Sequence, residues 1–86
     1  MRLIKGENGG GWIVRNEELV HLTATEYPIV EALVEADGKL VQRRKLLSLS
    51  ETGSDHGLEM AVCRIRRKLG VPIKSHGFEE TKGYTL

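Results

Sequence analysis

The chain has 86 residues, of which 40% are hydrophobic and 29% charged, with one cysteine and a net charge of +1 at neutral pH. These are ordinary values for a small globular chain near the lower size limit for unaided folding. They argue against disorder, an internal disulfide framework and a membrane span. The expectation is a soluble cytoplasmic protein with a single domain over residues 1–86, and the first residues lack the apolar core of a signal peptide.

The first 22 residues read as a small antiparallel sheet. Arg2 to Lys5 forms a short strand, and the run from Gly6 to Gly11, with three consecutive glycines, reads as a flexible turn. Trp12 to Arg15 and Leu19 to Leu22 carry the β-forming side chains of two further strands, and Asn16, Glu17 and Glu18 suit the hairpin turn between them.

Residues 23–70 read as three helices. Thr23-Ala24-Thr25-Glu26 is a capping box, in which hydroxyl and carboxylate satisfy free backbone amides reciprocally, so the first helix is expected to start at Thr23. Tyr27, Val30, Leu33 and Val34 form its apolar stripe, Glu31 and Glu35 face water, and Asp37-Gly38 ends it. Pro28 then falls at about the fifth helical position, where its missing amide should kink the first turn. Leu40 and Val41 form an extended link to a second helix from Gln42 to Leu49, which buries Leu46 and Leu47 and exposes Arg43, Arg44 and Lys45. Those three charges oppose the helix dipole, a small penalty that a nearby anionic backbone would relieve.

The third helix spans Ser54 to Gly70, with Ser54 or Asp55 as its cap and Gly70 as its left-handed end. At 100° per residue, Leu58, Val62, Ile65 and Leu69 share one stripe, while His56, Met60, Cys63, Arg64 and Arg67 gather opposite. Arg64, Arg66, Arg67 and Lys68 crowd into five positions, with only Glu59 as negative charge along the middle of the helix. On periodicity alone this face fits a solvated surface as well as a helix seated in the major groove of DNA. Beyond it, Ile73 to Phe78 and Thr81 to Leu86 read as the arms of a terminal hairpin over residues 71–86, anchored by Phe78, Tyr84 and Leu86.

The small net charge is divided unevenly. Residues 1–41 sum to −3, residues 42–76 to +5 and residues 77–86 to −1. Because phosphate attraction depends on a local face, this distribution is compatible with DNA binding of moderate non-specific affinity. Catalysis is not indicated: His21, His56 and His76 lie in unrelated elements, and no motif supplies a nucleophile, a metal set, a phosphate loop or a cofactor site. Cys63 reads as a contact residue or a spectator.

Strands, three helices and a hairpin, in that order, are an α+β winged helix-turn-helix. Within that class LTATEY, GKLVQRRKLL, RIRRKLG and the closing GY resemble, in order and spacing, the OmpR/PhoB-type DNA-binding domain, the output domain of many bacterial two-component response regulators. The resemblance runs from Trp12 to Leu86. It implies a sequence-specific binder of double-stranded DNA and transcriptional regulator, with the third helix in the major groove. Met60, Cys63, Arg64 and Arg66 then match positions that touch bases or phosphates. Arg67 and Lys68 match the basic end of the helix, and Arg43, beside Arg44, matches a residue that approaches the backbone.

The same resemblance implies an RNA polymerase contact through the Ser48–Gly57 loop, at Glu51 or Thr52, and head-to-tail homodimers on direct repeats. The chain departs from the pattern at Ala61, where the family often has histidine, and at Gln42, where it often has a serine cap. The wing departs furthest. Aligned on Gly83-Tyr84, Glu80 stands where the family has arginine; aligned on Ile73-Lys74-Ser75 the wing is longer, and Lys74, His76 and Lys82 could touch phosphates. Without a receiver domain in the chain, it is either an excised output domain or a free-standing regulator. A second reading, a winged helix that binds protein instead of DNA, is motivated by the near-neutral total charge and by Glu79 and Glu80.

Overall fold

The computed structural model describes residues 2–49, 54–70, 73–77 and 82–86. Three antiparallel strands open the chain, β1 (Arg2–Lys5), β2 (Gly11–Arg15) and β3 (Glu18–Leu22), ordered β1-β2-β3. Three helices follow: α1 (Glu26–Glu35), α2 (Arg43–Leu49) and α3 (Asp55–Leu69). A second antiparallel sheet joins β4 (Val41–Gln42), between α1 and α2, to β5 (Lys74–His76) and β6 (Gly83–Thr85) in the order β4-β6-β5. This is the α+β architecture of a winged helix-turn-helix.

β2 and β3 are each one residue longer than their composition suggests. Gly11 belongs to β2, paired with Lys5 and Leu22, rather than to the preceding turn. Glu18 pairs with Arg15, so the hairpin closes through two residues, Asn16 and Glu17, with φ of +50° and +66°. A two-residue hairpin of the type I′ kind, whose twist matches that of its strands, needs positive φ at both central positions, and here that requirement overrides the reluctance of glutamate to adopt it.

The capping box at the start of α1 is formed. Thr23 N donates to Glu26 Oε1 at 2.9 Å, and Glu26 N donates to Thr23 Oγ1 at 3.2 Å. Regular helix nevertheless begins at Glu26 and not at Thr23. Pro28 is therefore the third residue of α1, within the first turn, where amides have no partner inside the helix to lose.

Gln42 is likewise a strand residue and not the start of α2. The link through Val41 is the third strand of the wing sheet: Val41 faces Tyr84, which faces Ser75, and Gln42 faces Gly83. The first amide of α2, on Arg43, donates to the carbonyl of Lys82 at 2.9 Å. A backbone acceptor from the wing thus replaces the missing side-chain cap.

Helix α3 matches its sequence at both ends. Ser54 Oγ accepts from Gly57 N at 3.1 Å, and Gly70 turns left-handed with φ +65° while its amide bonds the Arg66 carbonyl. Only glycine takes that conformation without strain. Leu58, Val62 and Ile65 are sealed from solvent against Ile29, Leu33 and Leu46 in the same core. Burial of each such side chain stabilises the fold by about 2 kcal/mol. Ala61 is equally buried, so the place where the family often carries histidine is filled here by a small core residue. Ile73 and Tyr84 extend this core under the wing, and Phe78 lies outside the described residues.

Candidate nucleic-acid interface

Since four residues of α3 point inward at i, i+4, i+7 and i+11, its other face is left to solvent. His56, Met60, Arg64 and Arg67 are exposed along it, Met60 by 47%, and Cys63 is half-buried beside them. Met60 thus leaves an unbranched thioether open on an otherwise polar face. Arg44 and Lys45 on α2 are exposed and Arg43 is half-buried. Lys74 and His76 stand exposed on β5, with His76 Nε2 3.0 Å from Thr85 Oγ1.

Three other cations named by sequence already hold partners within the chain. Arg66 is half-buried, and its Nε donates to the Ile73 carbonyl at 2.7 Å, reinforced by a second bond from the same guanidinium. Lys68 Nζ bonds Glu26 Oε1 at 2.6 Å and reaches the His21 carbonyl at 3.3 Å. Lys82 Nζ bonds Glu59 Oε1 at 3.2 Å across a crevice of about 190 Å³ between α3 and the wing, where Arg66, Ser75 and Tyr84 also contribute to the walls.

Glu26 is the feature that sequence reasoning half missed. Read as a cap, it is also wholly buried at the contact between α1 and α3. Burial pushes its carboxyl up. The Lys68 hydrogen bond, the Thr23 amide and the Lys68 charge together outweigh that, holding it below its ordinary 4.5. Its other oxygen, Oε2, has no hydrogen-bond donor and lies 3.9 Å from Arg64 Nε. A lysine and an arginine one turn apart on α3 therefore share one carboxylate. Arg15, by sequence no more than a strand residue, donates to the Leu69 carbonyl at the end of α3.

Glu51, Thr52 and Glu80 fall outside the described residues. Among the described residues, no group of three or more histidine, cysteine, aspartate or glutamate side chains could hold a metal ion. The histidines stand on β3, α3 and β5, and His21 packs edge-on against Trp12 with ring centres 5.6 Å apart. No helix among the described residues is long and apolar enough to cross a membrane.

The family described as "Transcriptional regulatory protein, C terminal" matches residues 16–86, which take in all three helices and the wing. The chain belongs to this family of OmpR/PhoB-type DNA-binding domains. The chain is also similar to the virulence transcriptional regulatory protein PhoP of Salmonella typhimurium (strain LT2), at 34% identity over 58 residues. The proteins of the same name from Salmonella choleraesuis and Salmonella typhi match equally well. Each match covers 63% of this chain and only 26% of the relative. No solved structure matches. The OmpR/PhoB-type family is one of transcriptional regulators that bind DNA and not a class of enzymes.

Proposed function

We propose that the chain binds double-stranded DNA sequence-specifically, as a transcriptional regulator, by seating α3 in the major groove. The observation that carries this is the solvent face of α3, where Met60, Arg64 and Arg67 stand exposed along a helix whose opposite face is locked into the core. Exposed arginines there can make bidentate bonds to guanine edges or pair with phosphates. Arg43, Arg44, His56, Cys63 and Lys74 flank that face and complete the proposed contact set. Arg66, Lys68 and Lys82 enter it only where a phosphate can compete with, or add to, the bonds they already make.

The remaining roles belong to the same proposal. The segment Ser48–Gly57, from the end of α2 to the first turn of α3, offers a contact for RNA polymerase, copies of the domain assemble head to tail on direct repeats, and the protein acts in the cytoplasm as a single domain over residues 1–86. Selection from random duplexes tests the central reading. Recovery of one motif supports it, and recovery of none contradicts it.

A second reading draws on one specific observation: Arg66 and Lys68 of α3 and Lys82 of the wing already make bonds within the fold, which lowers the charge available to phosphates. A winged helix that docks a protein would need no more. The salt dependence of duplex binding separates the two.

A further inference from the structure

Glu26 Oε2 is a buried carboxylate oxygen with no hydrogen-bond donor, an arrangement that folded proteins avoid unless something nearby can answer it. The answering group is Arg64. Its Nε lies 3.9 Å from Oε2, inside ion-pair range and just beyond hydrogen-bond length, so a small rotation of the side chain completes the bond. The Arg64 side chain is 53% exposed while Glu26 is 1% exposed. The arginine therefore runs from a buried anion at the start of α1 to the open face of α3.

We propose that Glu26 is the positioning residue for Arg64, holding the guanidinium by its Nε edge and leaving the two terminal nitrogens free to pair with a base or phosphate. A guanidinium carries five donors in a fixed fork, so engaging Nε–H does not consume the pair that reads guanine O6 and N7. Holding one edge removes rotamer freedom before DNA arrives, which lowers the ordering cost of binding. Lys68, one turn along, occupies Oε1 and keeps the carboxylate ionised for this purpose. The inference rests on the DNA-binding reading and adds to it a residue that does not itself touch DNA.

The sign of the effect separates positioning from plain electrostatics. A negative charge near the duplex should weaken binding, and a carboxylate that competes with DNA for Arg64 should weaken it further. Under either alternative, Glu26→Gln raises affinity. Under positioning it lowers affinity, and only while Arg64 is present.

The test is a double-mutant cycle on a selected duplex with wild type, Glu26→Gln, Arg64→Ala and the double variant, each checked for folding by its thermal melt. The expected result is an affinity loss of about five-fold for Glu26→Gln beside Arg64, and less than about two-fold in the Arg64→Ala background. Equal losses in both backgrounds, or a gain, would overturn the proposal while leaving DNA binding intact. Absence of any specific duplex binding by wild type, or no effect of Arg64→Ala, would instead remove the reading beneath it. Should Glu26→Gln not fold, the unaltered protein decides. A resolved Arg64 Nε–H resonance protected from solvent exchange, free and on DNA, supports the seat, and a rapidly exchanging one in both states overturns it.

Discussion

Arg66 on α3 donates to the carbonyl oxygen of Ile73 at 2.7 Å, fastening the proposed reading helix to the residue that leads into the wing. The bond fixes the angle between the two parts of the domain expected to meet DNA together. It also occupies a side chain that the family resemblance places among the base and phosphate contacts.

Replacement of Arg66 by alanine is therefore expected to act first on stability. Loss of a half-buried, charge-assisted pair of bonds should cost about 2 kcal/mol, read as a lower urea midpoint. Arg67→Ala, at an exposed position, should leave stability within about 0.5 kcal/mol of wild type. Similar midpoints for the two variants would show that the Ile73 bond contributes little.

The Glu26 and Lys68 pair makes a prediction about pH. The carboxyl is held below its ordinary 4.5 in the fold, so its contribution to stability is complete above that value and is lost as pH falls through the lowered one. Lys68→Met removes the main lowering influence and leaves burial, which raises the carboxyl, so in the variant protonation favours the fold. A pair broken in the interior costs about 3 to 5 kcal/mol. Lys68 is 34% exposed, so we expect about 2 kcal/mol near neutrality. The gap between wild type and variant should narrow in urea melts as pH falls toward and below 4.5, and a gap independent of pH would refute the assignment.

Gly83 explains half of the closing glycine-tyrosine pair. A Cβ there would stand 2.5 Å from the Val41 carbonyl oxygen and 3.0 Å from the Leu40 side chain, so β6 could not keep its place against β4. Gly83→Ala is expected to lower stability by about 2 kcal/mol. It should also shift the backbone amides of residues 41–43 in an NMR spectrum, because the Arg43 amide is bonded to Lys82 beside it. An unchanged melt would mean the wing sheet is looser than this packing implies.

The sequence exposed most of what local chemistry determines. The cap at Ser54, the left-handed Gly70 and the stripe of Leu58, Val62, Ile65 and Leu69 all depend on residues within a few turns of one another, and all stand where spacing put them. What stayed hidden depends on distant partners. Lys68 and Glu26 are 42 positions apart, and Val41 meets Tyr84 only once the helices have packed, so no periodicity in either segment announces the pairing. The same holds for Lys82, whose ammonium meets the Glu59 carboxylate 23 positions away. Charge alone marks a cation as available. Only the fold shows which anion or carbonyl already has it.

The wing lysines can be told apart on this basis. Lys74 is exposed with its charge open to solvent, and Lys82 is shared with Glu59. Lys74→Ala should lower affinity about equally for all duplexes and reduce the salt slope by about one unit. Lys82→Ala should reduce the slope by clearly less, and anisotropy titrations over a salt series would show the difference. Unchanged slopes in both variants would place the wing away from the duplex.

The central claim, that the exposed face of α3 reads DNA, is tested most directly by the affinity of the unaltered protein for its selected duplex between about 50 and 200 mM salt, measured by fluorescence anisotropy. Each phosphate contact contributes a slope of about −0.9 in log affinity against log salt. The face described here predicts a linear fall with a slope of several units, made shallower by about one in Arg67→Ala. A flat response, with Arg67→Ala indistinguishable from wild type, would contradict it and assign the same face to a protein partner.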